Sequence, residues 1–244
     1  MTSLAVYVGW DPREVDAYNV CVHSIRKNSS IDLDVRALKL ADLRKDGLYD
    51  RETETRDGRL WDAISEAPMA TEFAITRFFA PLLADRDSIE SDWVLFCDCD
   101  FLWTGDVAEL VAELDPTKAV MCVKHNHAPV ESTKMDGQLQ LLYARKNWSS
   151  MMVFNRNHPS NKKLTVELLN SVPGRDLHRF CWLEDDEIGG VSKDWNWLEG
   201  HSPKTGDVPR VIHYTRGGPW MEGWEDVDYG DLWLRALEET RSTV

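Results

Sequence analysis

The order of apolar and polar positions divides the chain into alternating strands and helices. Leu4–Val8 is a short β-rich run ending at Gly9, and beyond the Asp11-Pro12 turn apolar positions recur at Val15, Val20, Val22 and Ile25 with helical spacing. Asp34–Leu40 reads as a second strand, and Lys45–Gly58 as a charged loop punctuated by glycine. The spacing of Phe73, Ile75, Phe78, Phe79, Leu82 and Leu83 predicts one helix over Thr71–Ala84, with Thr71 as its N-cap and Pro81 as a late irregularity. Trp93–Cys97 is an uninterrupted apolar run of the buried-strand type, stopped by Asp98-Cys99-Asp100.

The second half continues the alternation. Val107–Leu114 reads as a helix and Ala119–Val123 as a strand, followed by a polar, irregular stretch Val130–Asn147 with a short apolar helix around Leu139–Leu142. Ser150–Phe154 is strand-like, Asn161–Leu169 helical, and Val208–Tyr214 a strand running into a Gly-Gly-Pro-Trp turn; Tyr229–Arg241 closes the chain as a helix. This order implies an α/β fold: a mostly parallel sheet covered on both faces, with ligands at the carboxyl ends of its strands. There is no internal repeat and no linker, so residues 1–244 read as one domain.

Composition narrows the function classes. With 43% hydrophobic and 29% charged residues, the chain can build a core and is not disordered. No apolar run reaches the length of a membrane span, and the start lacks a basic segment before an apolar one, so the expected location is cytoplasmic. The net charge of −14 argues against non-specific binding to nucleic acid or anionic lipid, which needs clustered Lys and Arg. Five cysteines without CxxC spacing read as reduced thiols rather than a disulfide framework or a zinc knuckle. Tryptophan is over-represented, with 11 residues, several beside polar groups where an indole face could stack on a sugar or base.

The sharpest chemical signal is Asp98-Cys99-Asp100. Side chains two apart on an extended chain point to one face, so the two carboxylates converge; their repulsion is relieved by a divalent cation such as Mg²⁺ or Mn²⁺. The bland alternative is a pair of solvated turn residues. Two chemistries use such a pair. In a haloacid-dehalogenase-like phosphohydrolase the first Asp is a nucleophile and the second a general acid, but here Leu102 stands where Thr or Val is usual. In a nucleotide-sugar transferase the pair holds a metal against a diphosphate leaving group.

Five ordered stretches resemble glycosyltransferase family 8 and its bacterial and phage-type relatives of GT-A fold. They are Val6–Asp11, Ala70–Phe78, Leu95–Asp100, Trp148–Asn155 and His213–Trp220, and together they cover most of the chain. The resemblance implies a single-domain, Rossmann-like GT-A fold, with a nucleotide-binding half over 1–105 and a sugar and acceptor half over 106–244. It implies a UDP-sugar donor, a Mn²⁺ or Mg²⁺ cofactor held by Asp98, Asp100 and His213, and transfer with retention of configuration.

Further site residues follow from the same resemblance. The turn Val8, Gly9, Trp10 and Asp11 would receive uracil and ribose, Cys99 would lie against the donor, and Arg77 matches the family's helix arginine. Trp148 falls where a sugar-contacting Asn is expected, leaving Asn147 and Ser149 as the candidates there. Gly217 and Gly218 would approach the diphosphate, and because the usual lysine before Pro-Trp is missing, Arg216 would substitute for it. Asp185 and Asp186 match the acidic segment beside the transferred sugar, with an exposed acidic turn as the alternative. His125 and His127 would share one face of a strand, as acceptor-side or structural residues.

Three hypotheses therefore stand: a UDP-sugar-dependent glycosyltransferase, a DxD phosphohydrolase, and a non-catalytic nucleotide- or sugar-binding module. The acceptor would be shaped by the loops Lys45–Gly58, Glu131–Lys146 and Glu199–Arg210. A glycan, a protein side chain, a lipid head group and a modified nucleobase all remain open.

Overall fold

The N-terminal apolar run forms β1 (Leu4–Gly9), every residue of it buried, and the helical spacing that follows forms α1 (Val15–Lys27). This computed structural model describes residues 4–125, 145, 147–204 and 206–242. The helix expected around Leu139–Leu142, the residue His127 and most of the Glu131–Lys146 loop lie outside them. The second strand, β2 (Leu33–Leu38), stops two residues earlier than its apolar pattern suggests, because Leu40 already opens α2 (Leu40–Lys45) and faces the core.

The charged loop is only partly a loop. Thr53–Arg56 (β3) pairs antiparallel with Arg59–Asp62 (β4), which pairs in turn with Ala67–Pro68 (β5), making a small three-stranded sheet. The helix expected over Thr71–Ala84 is broken into α3 (Phe73–Thr76), a 3₁₀ turn at Arg77–Phe79, and α4 (Ala80–Arg86). Pro81 causes the break: it has no N–H to donate, and its ring would meet the carbonyl of Arg77 four residues back. Thr71 does not cap the helix through its side chain; its carbonyl accepts from Ala74 N at 3.2 Å.

Trp93–Cys97 is β6, as its apolar run predicts, and Phe101–Trp103 forms an unexpected short strand, β7. Asp106 caps α5 (Val107–Ala112) by accepting from Ala108 N. Then come β8 (Val120–Cys122), β9 (Met151–Asn155), α6 (Val166–Ser171), α7 (Gly174–His178), β10 (Ile188–Gly190), β11 (Trp197–Leu198), β12 (Val211–His213) and α8 (Gly230–Ser242). No helix among the described residues is long and apolar enough to cross a membrane.

The central sheet has six strands in the order β10-β8-β9-β6-β1-β2. β1 runs parallel to β2 and β6, β10 runs parallel to β8, and β9 alone runs antiparallel to its neighbours β6 and β8. The carboxyl ends of five strands therefore share one edge, the edge at which Asp98 leaves β6. Helices α1 and α4 pack against β1 and β6, and α8 packs on α1. A second sheet, β11-β12-β7, lies over α1 and carries its own apolar cluster of Val20, Leu102, Trp197, Ile212, Tyr214 and Trp233. Burying side chains of this size contributes about 1.5–3 kcal/mol each, which fixes β7 and β12 firmly beside the end of β6.

Candidate active site

The acid pair is built by a change of sheet. β6 ends at Cys97, and Asp98 N donates to Ser150 O at 2.9 Å, which holds the turn against the start of β9. The chain then enters β7, whose Phe101 pairs with His213 of β12. Tyr214 N donates to Asp100 O at 3.0 Å, so Asp100 and His213 are neighbours across the strand pair. Within this turn, and not by strand alternation as the sequence pattern suggests, Cys99 is fully buried whereas the side chains of Asp98 and Asp100 keep 13% and 18% of their exposure.

One ligand atom from each of Asp98, Asp100 and His213 lies within 4.8 Å of the others. Two carboxylate oxygens and an imidazole nitrogen, converging at a partly open sheet edge, suit a hard to borderline divalent cation such as Mg²⁺ or Mn²⁺. The surrounding charge agrees with this. Burial pushes the Glu14 carboxyl up to about 7, and repulsion from Asp100 adds to it. Glu14 accepts from the Cys99 thiol at 3.1 Å, and that thiol is itself pushed up by burial. Among the described residues no second such cluster forms, and His125 contributes its carbonyl to Trp148 Nε1 at 3.0 Å.

Arg77 sits on the 3₁₀ turn that Pro81 imposes, and it is buried. Its guanidinium forms an ion pair with Asp98 Oδ1 at 3.0 Å, donates to Ser149 O at 2.9 Å and to Phe73 O at 3.1 Å, and lies 5.1 Å from the Phe96 ring centroid. A planar fork that donates to two carbonyls while its charge faces a carboxylate does what a lysine could not. Ser149 is also buried, with its hydroxyl 2.7 Å from His178 Nδ1 on α7.

The N-terminal turn is positioned at the same edge. Gly9 packs directly on the Phe73 ring, leaving no room for a Cβ. Val8 is buried with its backbone paired into the sheet against Ala37 and Cys97, and Trp10 carries the Lys39 ammonium 4.8 Å from its ring centroid. Asp11 is fully buried and already committed: it accepts from Arg13 N and Nε at 2.9 Å, from the second guanidinium nitrogen at 2.8 Å, and from Glu72 N at 3.0 Å. Burial raises its carboxyl, but these hydrogen bonds outweigh that and hold it below the ordinary value.

The remaining expected residues divide into two groups. Asn147 adopts φ 63°, and its carbonyl accepts from the Ser150 hydroxyl at 2.7 Å, so its backbone anchors the turn before β9. Gly217, at φ 141°, takes a conformation that suits glycine, and Gly218 is covered by the Trp220 ring. Arg216 donates to the buried Glu199 at 3.0 Å and packs over Gly200, so much of its charge is balanced within the fold. Asp185 and Asp186 are exposed, lie outside the Asp98, Asp100 and His213 cluster, and precede β10; Asp185 pairs with Arg145. Glu187 O bonds Ala119 N at 2.8 Å, which brings that segment in at the start of β8, at the opposite edge of the sheet from Asp98. Sequence reasoning missed Glu14, His178 and Asn196; the one trace of Asn196 is a polar residue set between Trp195 and Trp197 and wholly buried.

The chain is 47% identical over 240 residues to Protein CDI of Arabidopsis thaliana, spanning 96% of this chain and 86% of that protein. It belongs to the Protein CDI family. No model of a wider protein family matches this member of the CDI family. Solved structures with a similar fold are glycosyltransferases. The bifunctional glycosyltransferase WbbM aligns with 99% of the CDI-family chain at a TM-score of 0.63 and 17% identity. GlyE of Streptococcus pneumoniae aligns with all of it at 0.60 and 16%. The chain spans about half of WbbM (51%) and 64% of GlyE. The galactosyltransferase LgtC, solved with donor and acceptor sugar analogues, matches over its full length, 99% of this chain, at a TM-score of 0.55 and 12% identity. The CDI-family chain thus has a GT-A-like glycosyltransferase fold.

Proposed function

We propose that the protein is a metal-dependent glycosyltransferase that moves a sugar from a nucleotide-sugar donor, a UDP-sugar, to an acceptor, with retention of configuration as in glycosyltransferase family 8. The observation that carries this reading is the convergence of Asp98, Asp100 and His213 at the carboxyl edge of a GT-A-like sheet. Solved structures of this fold, LgtC with its donor and acceptor analogues among them, support transfer over phosphohydrolysis. The ion pair between Asp98 and Arg77 also counts against Asp98 as a nucleophile.

Breaking the anomeric C–O bond leaves a diphosphate that gains negative charge in the transition state. A divalent ion held by Asp98, Asp100 and His213 would supply charge neutralisation there. Arg77 holds Asp98 in place from behind and keeps the start of β9 at a fixed distance from it. Backbone N–H groups near Gly217 and Gly218 would lie against the diphosphate, with Arg216 contributing only what Glu199 leaves unbalanced. The end of the turn that Val8 and Gly9 anchor, at Trp10 and Asp11, would border the base, and Ser149 and Asn147 would border the sugar. Residues 1–105 would form the nucleotide half and 106–244 the sugar and acceptor half. A cytoplasmic location fits this reading.

The test is calorimetric titration with UDP, with and without Mn²⁺, on the wild type and on Asp98→Ala/Asp100→Ala. Mn²⁺-dependent binding that the double variant loses is expected. Binding in neither protein would sink the UDP assignment, and phosphate release from a simple monoester by the wild type would favour the phosphohydrolase.

A further inference from the structure

The imidazole that completes the acid cluster is not free to choose its proton. Four groups in a row set it. The Ser150 hydroxyl donates its single proton to Asn147 O at 2.7 Å. Only its lone pairs then face Asn196, so the group of Asn196 that meets it at 2.8 Å is the NH₂. The other end of that amide, Oδ1, meets His213 Nδ1 at 2.8 Å. An amide oxygen only accepts, so Nδ1 carries a proton, and in the neutral ring the lone pair sits on Nε2. That lone pair faces Asp100 Oδ2 at 3.4 Å, and two acceptors at this distance repel unless positive charge lies between them.

Every link is shielded. Asn196 is fully buried, and His213 and Ser150 are nearly so, while the Phe101 ring lies 4.5 Å from the imidazole and covers one face. Water cannot replace a lost partner here, and an orphaned amide or imidazole N–H would carry its full desolvation cost. The far end of the chain is tied to the acid pair itself, because Ser150 O accepts from Asp98 N.

We infer that Asn196 is a positioning residue: it fixes the tautomer of His213 so that Nε2 is presented to a divalent cation beside Asp98 and Asp100. The inference rests on the metal-dependent reading above and deepens it. A hydrogen bond from Nδ1–H to a fixed oxygen also makes Nε2 a better electron donor, the usual second partner of a metal-bound histidine. Asparagine accepts from His213 at one end and donates to Ser150 at the other, and leucine could do neither.

The experiment has two arms. The first reads the ring ¹⁵N signals of His213 in the metal-free wild type at alkaline pH; Nδ1 protonated is expected, and an unprotonated Nδ1 overturns the inference without any variant having to fold. The second measures Mn²⁺ affinity in the wild type, Asn196→Leu and Asn196→Asp. Leucine, which cannot accept from Nδ1, is expected to weaken Mn²⁺ binding about 10–100-fold, whereas aspartate keeps the acceptor and stays close to wild type. Equal Mn²⁺ affinity in wild type and Asn196→Leu overturns the positioning role alone. A wild type with Nδ1 protonated that takes up no Mn²⁺ overturns the metal-dependent reading and the positioning role with it.

Discussion

Phe101 lies directly opposite His213 in the antiparallel pair of β7 and β12, and this register sets the imidazole Nε2 3.4 Å from Asp100 Oδ2. Residues more than a hundred positions apart thereby become partners, and an imidazole nitrogen joins the acid pair. The strand pair is held by its own apolar cluster, so the geometry does not depend on a bound ion to form.

Replacing Asp100 by Asn should separate binding from stability. Removing one of two converging carboxylates relieves repulsion, so the thermal midpoint should stay level or rise in the presence of a chelator. Mn²⁺ affinity should fall, and sugar transfer should drop by about 100-fold or more, since the ion's contribution to the transition state is several kcal/mol. Thermal melts with and without Mn²⁺, together with transfer assays, check both halves.

Glu14 should give the metal-free protein an unusual pH dependence. Its folded value of about 7 lies above the ordinary 4.5, so the folded state holds the proton more tightly. The resulting stability is fully present below about pH 4.5 and is lost as pH rises toward 7. The size is no more than about 3 kcal/mol. Urea unfolding of wild type and Glu14→Gln at about pH 5.5 and about pH 8 isolates the effect; the loss on going to the higher pH should be smaller in Glu14→Gln.

Arg51 and Asp62 form a fully buried ion pair at 2.6 Å, and Arg51 also donates to Leu169 O and Val172 O, tying the small sheet to α6. Burial raises the Asp62 carboxyl, but hydrogen bonds from Arg51 and Ser65 outweigh it and hold it low. Its contribution is therefore present above the ordinary carboxylate range and lost as pH falls through it. Arg51→Met should cost about 3–5 kcal/mol by leaving Asp62 uncompensated, and adding Asp62→Leu should recover much of that. Urea midpoints of the single and double variants decide it.

Gly9→Ala should destabilise by about 1–3 kcal/mol, because the new methyl group meets the buried Phe73 ring and something must shift. For a chain of this length that corresponds to roughly 2–4 °C per kcal/mol in the thermal midpoint. An unchanged midpoint would mean that Phe73 has room to move.

Much of this was legible in one dimension. The apolar run Trp93–Cys97 coincides with β6 residue for residue, and α1 and α8 follow their helical spacing closely. Asp98-Cys99-Asp100 pointed to two neighbouring carboxylates because their closeness is local, although a turn between β6 and β7 rather than an extended chain brings them together. The break at Arg77 was half legible: Pro81 was visible as an irregularity, but the turn it forces, and the buried place that turn gives Arg77 beside Asp98, needed the packed sheet.

What the sequence by itself determined was the alternation of strands and helices, the acid pair, and the residue types able to hold an ion. The tertiary structure decided the rest. β9 runs antiparallel between two strands that run the other way, β7 pairs with β12, and Asn196 meets His213 and Ser150 inside the fold. None of these has a local signature, because periodicity records which face of an element is buried and not which distant element buries it. Asp11 makes the same point: as a turn residue it could serve a ligand, yet the fold spends both its oxygens on Arg13 and Glu72. A carboxylate's role is set by the donors that packing brings to it, and those donors are decided only in three dimensions.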